Sequence, residues 1–512
     1  MFRSLASSLI SLVAILLFAL MMLFLWSGSE DLQFSRVAFQ GDKSTESVLE
    51  EYRRANSSTE IVMKEDKTDE PAPVVQNSGD GPAVVVWISI PGFRGDYLEK
   101  SETPFFDKLT TDGGATNKMR PSFPCLTYPS HTTMATGVTP DKHGIIADKI
   151  RLPSGEIIDK PTDPALLLAE PIWTTATRQG IKTLVHDWPL SQNQTGDNKA
   201  AFFLTSYDPE ATDEARLTTA LEQWRTSSGG STPAPAAEGA ADAAPAAAPA
   251  PAEGAAAAST PAGGSADNKL RLVMLRLDDI ERQGLLHGPR AAETFAAVAA
   301  TDSSLNKFFE TIKSEWTTLA PKNANLVIFI TTDHGLAELD KNVNIAHLLG
   351  PEMMAHADIV AHDAVANLYF KDLPASDGEK KIFTDKFDSE LSKRIYFRTL
   401  KKDALPAEWA YGNAERTGDR VLVLKTGYAF AEQKAAEPVF DPAEGPGFFG
   451  GFGYPVEESV RMSGQMFLSG YPNSPVTGPL GELGQLPFHA TVCKLLGIEP
   501  APGAATDTIP MK

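Results

Sequence analysis

Three strongly apolar runs, residues 83–90 (AVVVWISI), 270–277 (LRLVMLRL) and 325–331 (NLVIFIT), constrain the fold of this chain more than any other feature. Apolar side chains fall at odd and even positions alike, so each run reads as a strand buried on both faces. Such strands need helices above and below their sheet, an arrangement produced when strands alternate with helices along the chain. Residues 291–312 supply one such helix, with Phe295, Val298, Leu305, Phe308, Phe309 and Ile312 spaced to share a face. Ligands in sheets of this kind gather at the carboxyl ends of the strands, so chemically suggestive residues are expected just after the runs.

The rest of the 512 residues reads as attachments to one large domain. Residues 5–26 carry no charge and, at about 1.5 Å per residue, are long enough to cross a hydrocarbon core of roughly 30 Å. They are predicted to be a transmembrane anchor. The competing reading is a cleaved secretory signal, whose apolar region is shorter and whose cleavage site is not evident in SGSEDLQF after Trp26. Arg3 precedes the span and Glu30 and Asp31 follow it, which places residues 1–4 as a cytoplasmic tail and the bulk of the chain, tethered by a single pass, outside the cytoplasm. Residues 27–82 are polar and charged and read as a disordered stalk. Residues 227–268 are almost wholly Ala, Pro, Gly and Glu and read as a disordered insert that leaves the surface of one domain formed by residues 83–226 and 269–503, with 504–512 as a tail. Lys plus Arg number 46 against 66 Asp plus Glu, a net charge of −20 that argues against a nucleic-acid backbone as partner. Two cysteines, Cys125 and Cys493, provide neither a disulfide framework nor zinc-type spacing.

After the first run come PGFRGDYL, TPFFDKLTTDGGAT and RPSFPCLTYPSHTTMATGVTPDKHGIIADK, then PIWTTATRQGIKTLVHDWPLS, IERQGLLHGP, TTDHGLAEL, ERTGDRVLVLKTGYAF and LLGIEPAPG. In order and spacing this series resembles the nucleotide pyrophosphatase/phosphodiesterase family of the alkaline phosphatase superfamily. The resemblance implies an α/β fold, a central mixed sheet flanked by helices, here preceded by one transmembrane helix. It also implies a threonine that attacks phosphorus, two zinc ions held by three Asp and three His, and an asparagine that aids the developing charge. A hydroxyl is a poor nucleophile near neutral pH without a metal or base, and two metals can stabilise both the attacking and the leaving oxygen.

By the resemblance, Thr127 in LTYPSH stands at the nucleophile, and Asp333 and His334 at two ligands of one zinc. The third ligand of that zinc falls on Pro91, which has no side-chain donor. At the other zinc Glu281 stands for an aspartate, while Leu285 and Phe452 stand for the two histidines. Asp148 replaces the asparagine with a negative charge that would repel an oxyanion. These losses imply weak or absent zinc and impaired hydrolysis, hence a binding or scaffold module with a nucleotide, phosphodiester or protein as partner. The alternative is an active hydrolase of phosphodiesters or pyrophosphates using Thr127 with a rearranged metal site, and a purely structural envelope protein is the third reading.

Each residue also has an ordinary reading. Thr127 could be a helix N-cap. Asp333 and His334 could be a hydrogen-bonded structural pair or a residual metal site. Glu281 reads more readily as a partly solvated carboxylate than as a ligand. His287, two positions beyond Leu285, could reach inward toward the lost ligand position, but reads more readily as a helix-capping or surface residue. Cys125, two residues before Thr127, could present a thiol to the same side, but no cationic motif lowers its pKa, and it reads as a buried structural cysteine. His143, His186, His347, His356, His362 and His489 show no ligand spacing and receive no metal role.

Overall fold

A computed structural model describes residues 81–229, 268–431 and 437–511. The predicted anchor at 5–26, nearly all of the stalk and the interior of the insert lie outside these residues. Among the described residues no helix is long and apolar enough to cross a membrane.

Ten strands matter for the site: β1 (Ala83–Ser89), β2 (Gly114–Arg120), β3 (Lys182–His186), β4 (Leu270–Arg276), β5 (Asn325–Thr331), β6 (Ala357–His362), β7 (Val365–Phe370), β8 (Phe397–Lys401), β9 (Arg420–Leu424) and β10 (Gly464–Tyr471). Four helices accompany them: α1 (Thr127–Thr136), α2 (Asp279–His287), α3 (Ala292–Ser314) and α4 (Pro487–Leu496). The three apolar runs become neighbours. β1 lies parallel to β4 on one side and β5 on the other, and β3 continues the parallel set beyond β4. β10 runs antiparallel to both β5 and β2, so the nine-stranded main sheet is mixed. β6, β7, β9 and β8 form a separate antiparallel sheet in that order.

The unbroken apolar character of β1 follows from burial of all seven of its residues. Val84, Val86 and Ile88 belong to the core beneath α3, with Val298, Leu305 and Phe309, while Val85 and Trp87 belong to the core on the opposite face with Phe488 and Val492 of α4. Trp87 Nε1 donates to Thr331 Oγ1 at 3.0 Å, satisfying a buried polar atom and tying β1 to β5. Of the six apolar residues predicted to share a face of α3, five are buried and Phe295 is partly so. Residues 504–511 are more than a tail: Ile509 is fully buried in the second core and its amide donates to Thr491 Oγ1.

The two ends of the insert are held together. A helix ends at Ser227, and Lys182 Nζ bonds the carbonyls of both Ser227 and Asn268, at 3.3 and 3.1 Å. Replacing residues 230–267 by a short Gly/Ser linker should leave the melting temperature unchanged or raise it slightly, because each halving of loop length relieves only about 0.6 kcal/mol. Calorimetry checks this, and a fall of about 10 °C, equivalent to several kcal/mol, would mean that the insert packs onto the domain.

Candidate functional site

The strand order brings together most of the positions singled out from sequence. Pro91 and Gly92 follow β1, Glu281 lies on α2 just beyond β4, Asp333 and His334 follow β5, and Thr127 opens α1. Phe452 follows a short strand, Gly450–Gly451. The close approach of the β1 exit to α2 explains Gly92: its φ is 70°, and a Cβ there would sit 3.2 Å from Glu281 Cα.

Thr127 does not cap its helix. It is the first helical residue, after Leu126, and its hydroxyl reaches His334 Nε2 at 3.2 Å. His334 Nδ1 lies 2.7 Å from the Gly335 carbonyl, which can only accept, so the ring proton is on Nδ1 and the Nε2 lone pair accepts from Thr127. Burial lowers the pKa of His334, against the pull of Glu281, which keeps the ring neutral. Glu281 Oε1 lies 3.5 Å from the same hydroxyl. Glu281 is only 7% exposed, so the solvated reading of it is wrong. Burial pushes its carboxyl up to about 7, opposed by Arg276.

Asp333 and His334 form the hydrogen-bonded pair expected of the ordinary reading: the His334 amide donates to Asp333 Oδ1 at 2.6 Å. Gln485 Nε2 holds the Asp333 carbonyl. Asp333 Oδ2 has no hydrogen-bond partner although it lies 3.4 Å from His131 Nδ1 and 3.3 Å from His334 Nε2. Burial raises this carboxyl to about 8, again opposed by Arg276.

Asp148 accepts from the Tyr128 amide at 2.8 Å, satisfying an open donor in the first turn of α1. Its other oxygen pairs with His362 Nε2 at 3.3 Å. Burial works against the charge on both, yet each favours the charged form of the other: His362 is raised and Asp148 lowered from their usual values. The carboxylate at the family's asparagine thus faces a histidine to which the sequence reading gave no metal role.

The positions that lost ligands are filled by other groups. Pro91 is buried, Leu285 packs partly buried in an apolar cluster, and the Phe452 ring lies face to face with His334 at 4.2 Å and 16°. The Phe452 amide donates to Asp363 Oδ1, which fixes the ring's backbone. His287 is exposed at the end of α2 and Cys125 is buried with its thiol pKa raised well above normal by burial, so neither joins the site. A cleft of about 440 Å³ borders Cys125 and Phe123, but Thr127, Glu281, Asp333, His334 and Phe452 do not line it.

Sequence reasoning also missed Arg276, the last residue of β4. Its Nη2 is 3.3 Å from Glu281 Oε2, and its Nε is 2.7 Å from Asp278 Oδ1, an ion pair whose N–H is not aligned for a hydrogen bond. A charged residue closing a buried strand at its carboxyl end was the available signal. The residues present do not fit a two-zinc centre: three of six ligand positions have no donor, an arginine is paired with Glu281, and among the described residues no group of three or more His, Cys, Asp or Glu side chains is arranged to hold a metal ion.

The fold is mixed α/β, with a hydroxyl at a helix start beyond the carboxyl ends of parallel strands. The sequence profile of type I phosphodiesterase / nucleotide pyrophosphatase matches residues 85–449, and the chain belongs to that family. Venom phosphodiesterase 2 of Crotalus adamanteus is 24% identical over 440 residues, which cover 82% of this chain and 46% of that protein. Ectonucleotide pyrophosphatase/phosphodiesterase family member 3 of Mus musculus is 34% identical over 148 residues, 27% of this chain and 17% of that protein. The chain therefore matches less than half the length of either relative. The structure of murine ectonucleotide pyrophosphatase/phosphodiesterase 5 superposes with a TM-score of 0.60 at 21% identity, covering 82% of this chain and 96% of the other; an inactive variant of it was solved with AMP. The human counterpart gives 0.62 at 20% identity, covering 84% and 96%.

Held above the ordinary carboxylate range by burial, Asp333 and Glu281 should make stability fall with rising pH. Between the ordinary carboxylate range and about pH 8, the unfolded chain has released a proton that folded Asp333 still holds, so deprotonation favours unfolding. Glu281 adds to this up to about pH 7. Asp333→Asn, which keeps the acceptor for the His334 amide, should flatten the decline of the melting temperature between about pH 5 and pH 8; an unchanged pH profile would show that Asp333 titrates normally.

Proposed function

We propose that this chain is a phosphodiesterase-family fold that has given up metal-dependent hydrolysis and serves as a membrane-tethered binding module. The observation that carries the reading is the Phe452 ring stacked on His334, where the family resemblance places a zinc-binding histidine. Truncating a buried phenylalanine typically costs about 3–5 kcal/mol, so Phe452 contributes stability where a ligand would contribute metal affinity. Pro91 and Leu285 remove two more donors. Activation of Thr127 by metal would supply several kcal/mol of barrier lowering, at tenfold in rate per about 1.36 kcal/mol, and the remaining groups replace little of it. The tether is proposed from residues 5–26 and puts the domain outside the cytoplasm. A nucleotide or phosphodiester is the proposed ligand class, from the family and from the AMP complex of a structural relative.

A second reading rests on the Thr127 hydroxyl donating to His334 Nε2, a nucleophile with a base already oriented. It would sustain slow turnover through Thr127.

Full-length chain recovered in detergent from carbonate-washed membranes should show no hydrolysis of nitrophenyl phosphodiesters or ATP above a Thr127→Ala control, with or without zinc, manganese or calcium, while AMP binds in equilibrium dialysis. Turnover that vanishes in Thr127→Ala would reject the non-hydrolysing reading in favour of the second. Absence of AMP binding would leave a scaffold without nucleotide, and release by the carbonate wash would remove the tether.

A further inference from the structure

The cleft of about 440 Å³ beside Cys125 has the size of a small-molecule site, and none of the residues around the Thr127 hydroxyl lines it. Its apolar wall comes from Phe123, Trp409, Val456 and Pro487. Phe123 and Trp409 are stacked, with ring centroids 3.8 Å apart and 22° between the planes, and both are buried, so this wall is fixed before any ligand arrives. Gln485, 2% exposed, also lines the cleft and anchors it to the fold: its Nε2 donates to the Asp333 carbonyl at 2.7 Å, and its Oε1 accepts from the Ser122 amide at 3.0 Å. Four charged residues complete the lining, and three of them are acidic: Glu408, Glu457 and Asp507 against Arg120. Arg120 is already committed, with Nη2 on Glu457 at 2.5 Å and Nη1 on Glu482 at 3.1 Å. Glu408 and Asp507 are exposed, and among the described residues neither has an ion-pair partner. Arg398 lies over the Trp409 ring, but it pairs with Glu458 and does not line the cleft.

We propose that this cleft binds a small organic cation, an ammonium or guanidinium group on an apolar or aromatic body, with the body against Phe123 and Trp409 and the charge at Glu408 and Asp507. The rim selects the sign of the ligand. An anion, such as a nucleotide phosphate, would meet two unpaired carboxylates and a guanidinium already shared by two others. The wall selects its body, because a hydrated inorganic cation would leave the apolar surface of Val456 and Pro487 in water, whereas an organic body covers it. The cleft therefore differs from the Thr127 site both in position and in the charge it accepts, and the proposal stands whether or not that site binds nucleotide.

Isothermal titration of the full-length chain in detergent, with the detergent alone as blank, tests this with three probes built on one indole ring: tryptamine as the cation, tryptophol as its neutral counterpart and indole-3-acetate as the anion. Tryptamine should bind saturably and about fivefold or more tighter than tryptophol, and indole-3-acetate should not bind. The double variant Glu408→Gln/Asp507→Asn changes two exposed side chains, so it should melt with the wild type and should bind tryptamine no more tightly than tryptophol. Saturating AMP should leave the tryptamine affinity of the wild type unchanged. Four results overturn the proposal: no saturable binding of tryptamine, equal binding of tryptophol by the wild type, a preference for the cation that survives in the double variant, or displacement of tryptamine by AMP.

Discussion

Taking a carboxylate out of water costs several kcal/mol unless an opposite charge goes with it, and the site of this protein is organised by that constraint. Asp278 and Glu281 are buried against Arg276, Asp187 against Arg216, and Asp148 against His362. Asp333 Oδ2 has no hydrogen-bond partner, and burial pushes its carboxyl up to about 8. Breaking a buried pair by deleting one member typically costs about 3–5 kcal/mol, so these pairs weigh as much as a large core side chain. The three parallel strands set the stage for this: their apolar bodies exclude water, and their carboxyl ends deliver Pro91, Arg276 and Asp333 to the same place.

Family membership and the surviving Thr127, Asp333 and His334 describe one history of the site; its present packing describes another chemistry. In a two-metal site the hydroxyl is activated by charge on one side and the leaving oxygen by charge on the other. Here the hydroxyl meets a neutral imidazole backed by an aromatic ring, and the nearest permanent cation is bonded to the far oxygen of Glu281. Such an arrangement is well packed and electrically balanced.

Much of the fold was legible because its signals are local. Residues 83–90 are apolar at nearly every position because both faces of β1 are covered, and the helical period of α3 is visible in Val298, Leu305, Phe309 and Ile312. The candidate site was legible where ordered motifs carried it, since Thr127, Asp148, Glu281, Asp333 and His334 do converge. What escaped was pairing across the fold. His362 faces Asp148 from a strand far along the chain, and nothing in its own neighbourhood of the sequence announces that. Glu281 reads as a solvated acid until α2 is packed against the β1 exit at Gly92. Thr127 reads as a cap because threonine often is one, and only the position of His334 shows where its hydroxyl points.

The central claim is that an aromatic ring now stacks on His334 where the family resemblance places a zinc-binding histidine. Diffraction from crystals of the protein grown in excess zinc, recorded at the zinc absorption edge, tests it most directly. The account predicts no anomalous peak within bonding distance of His334 Nε2 or Asp333, with Phe452 still face-on to the imidazole. A zinc ion at about 2.0–2.1 Å from His334 Nε2, with Asp333 or Glu281 completing its coordination, would contradict it.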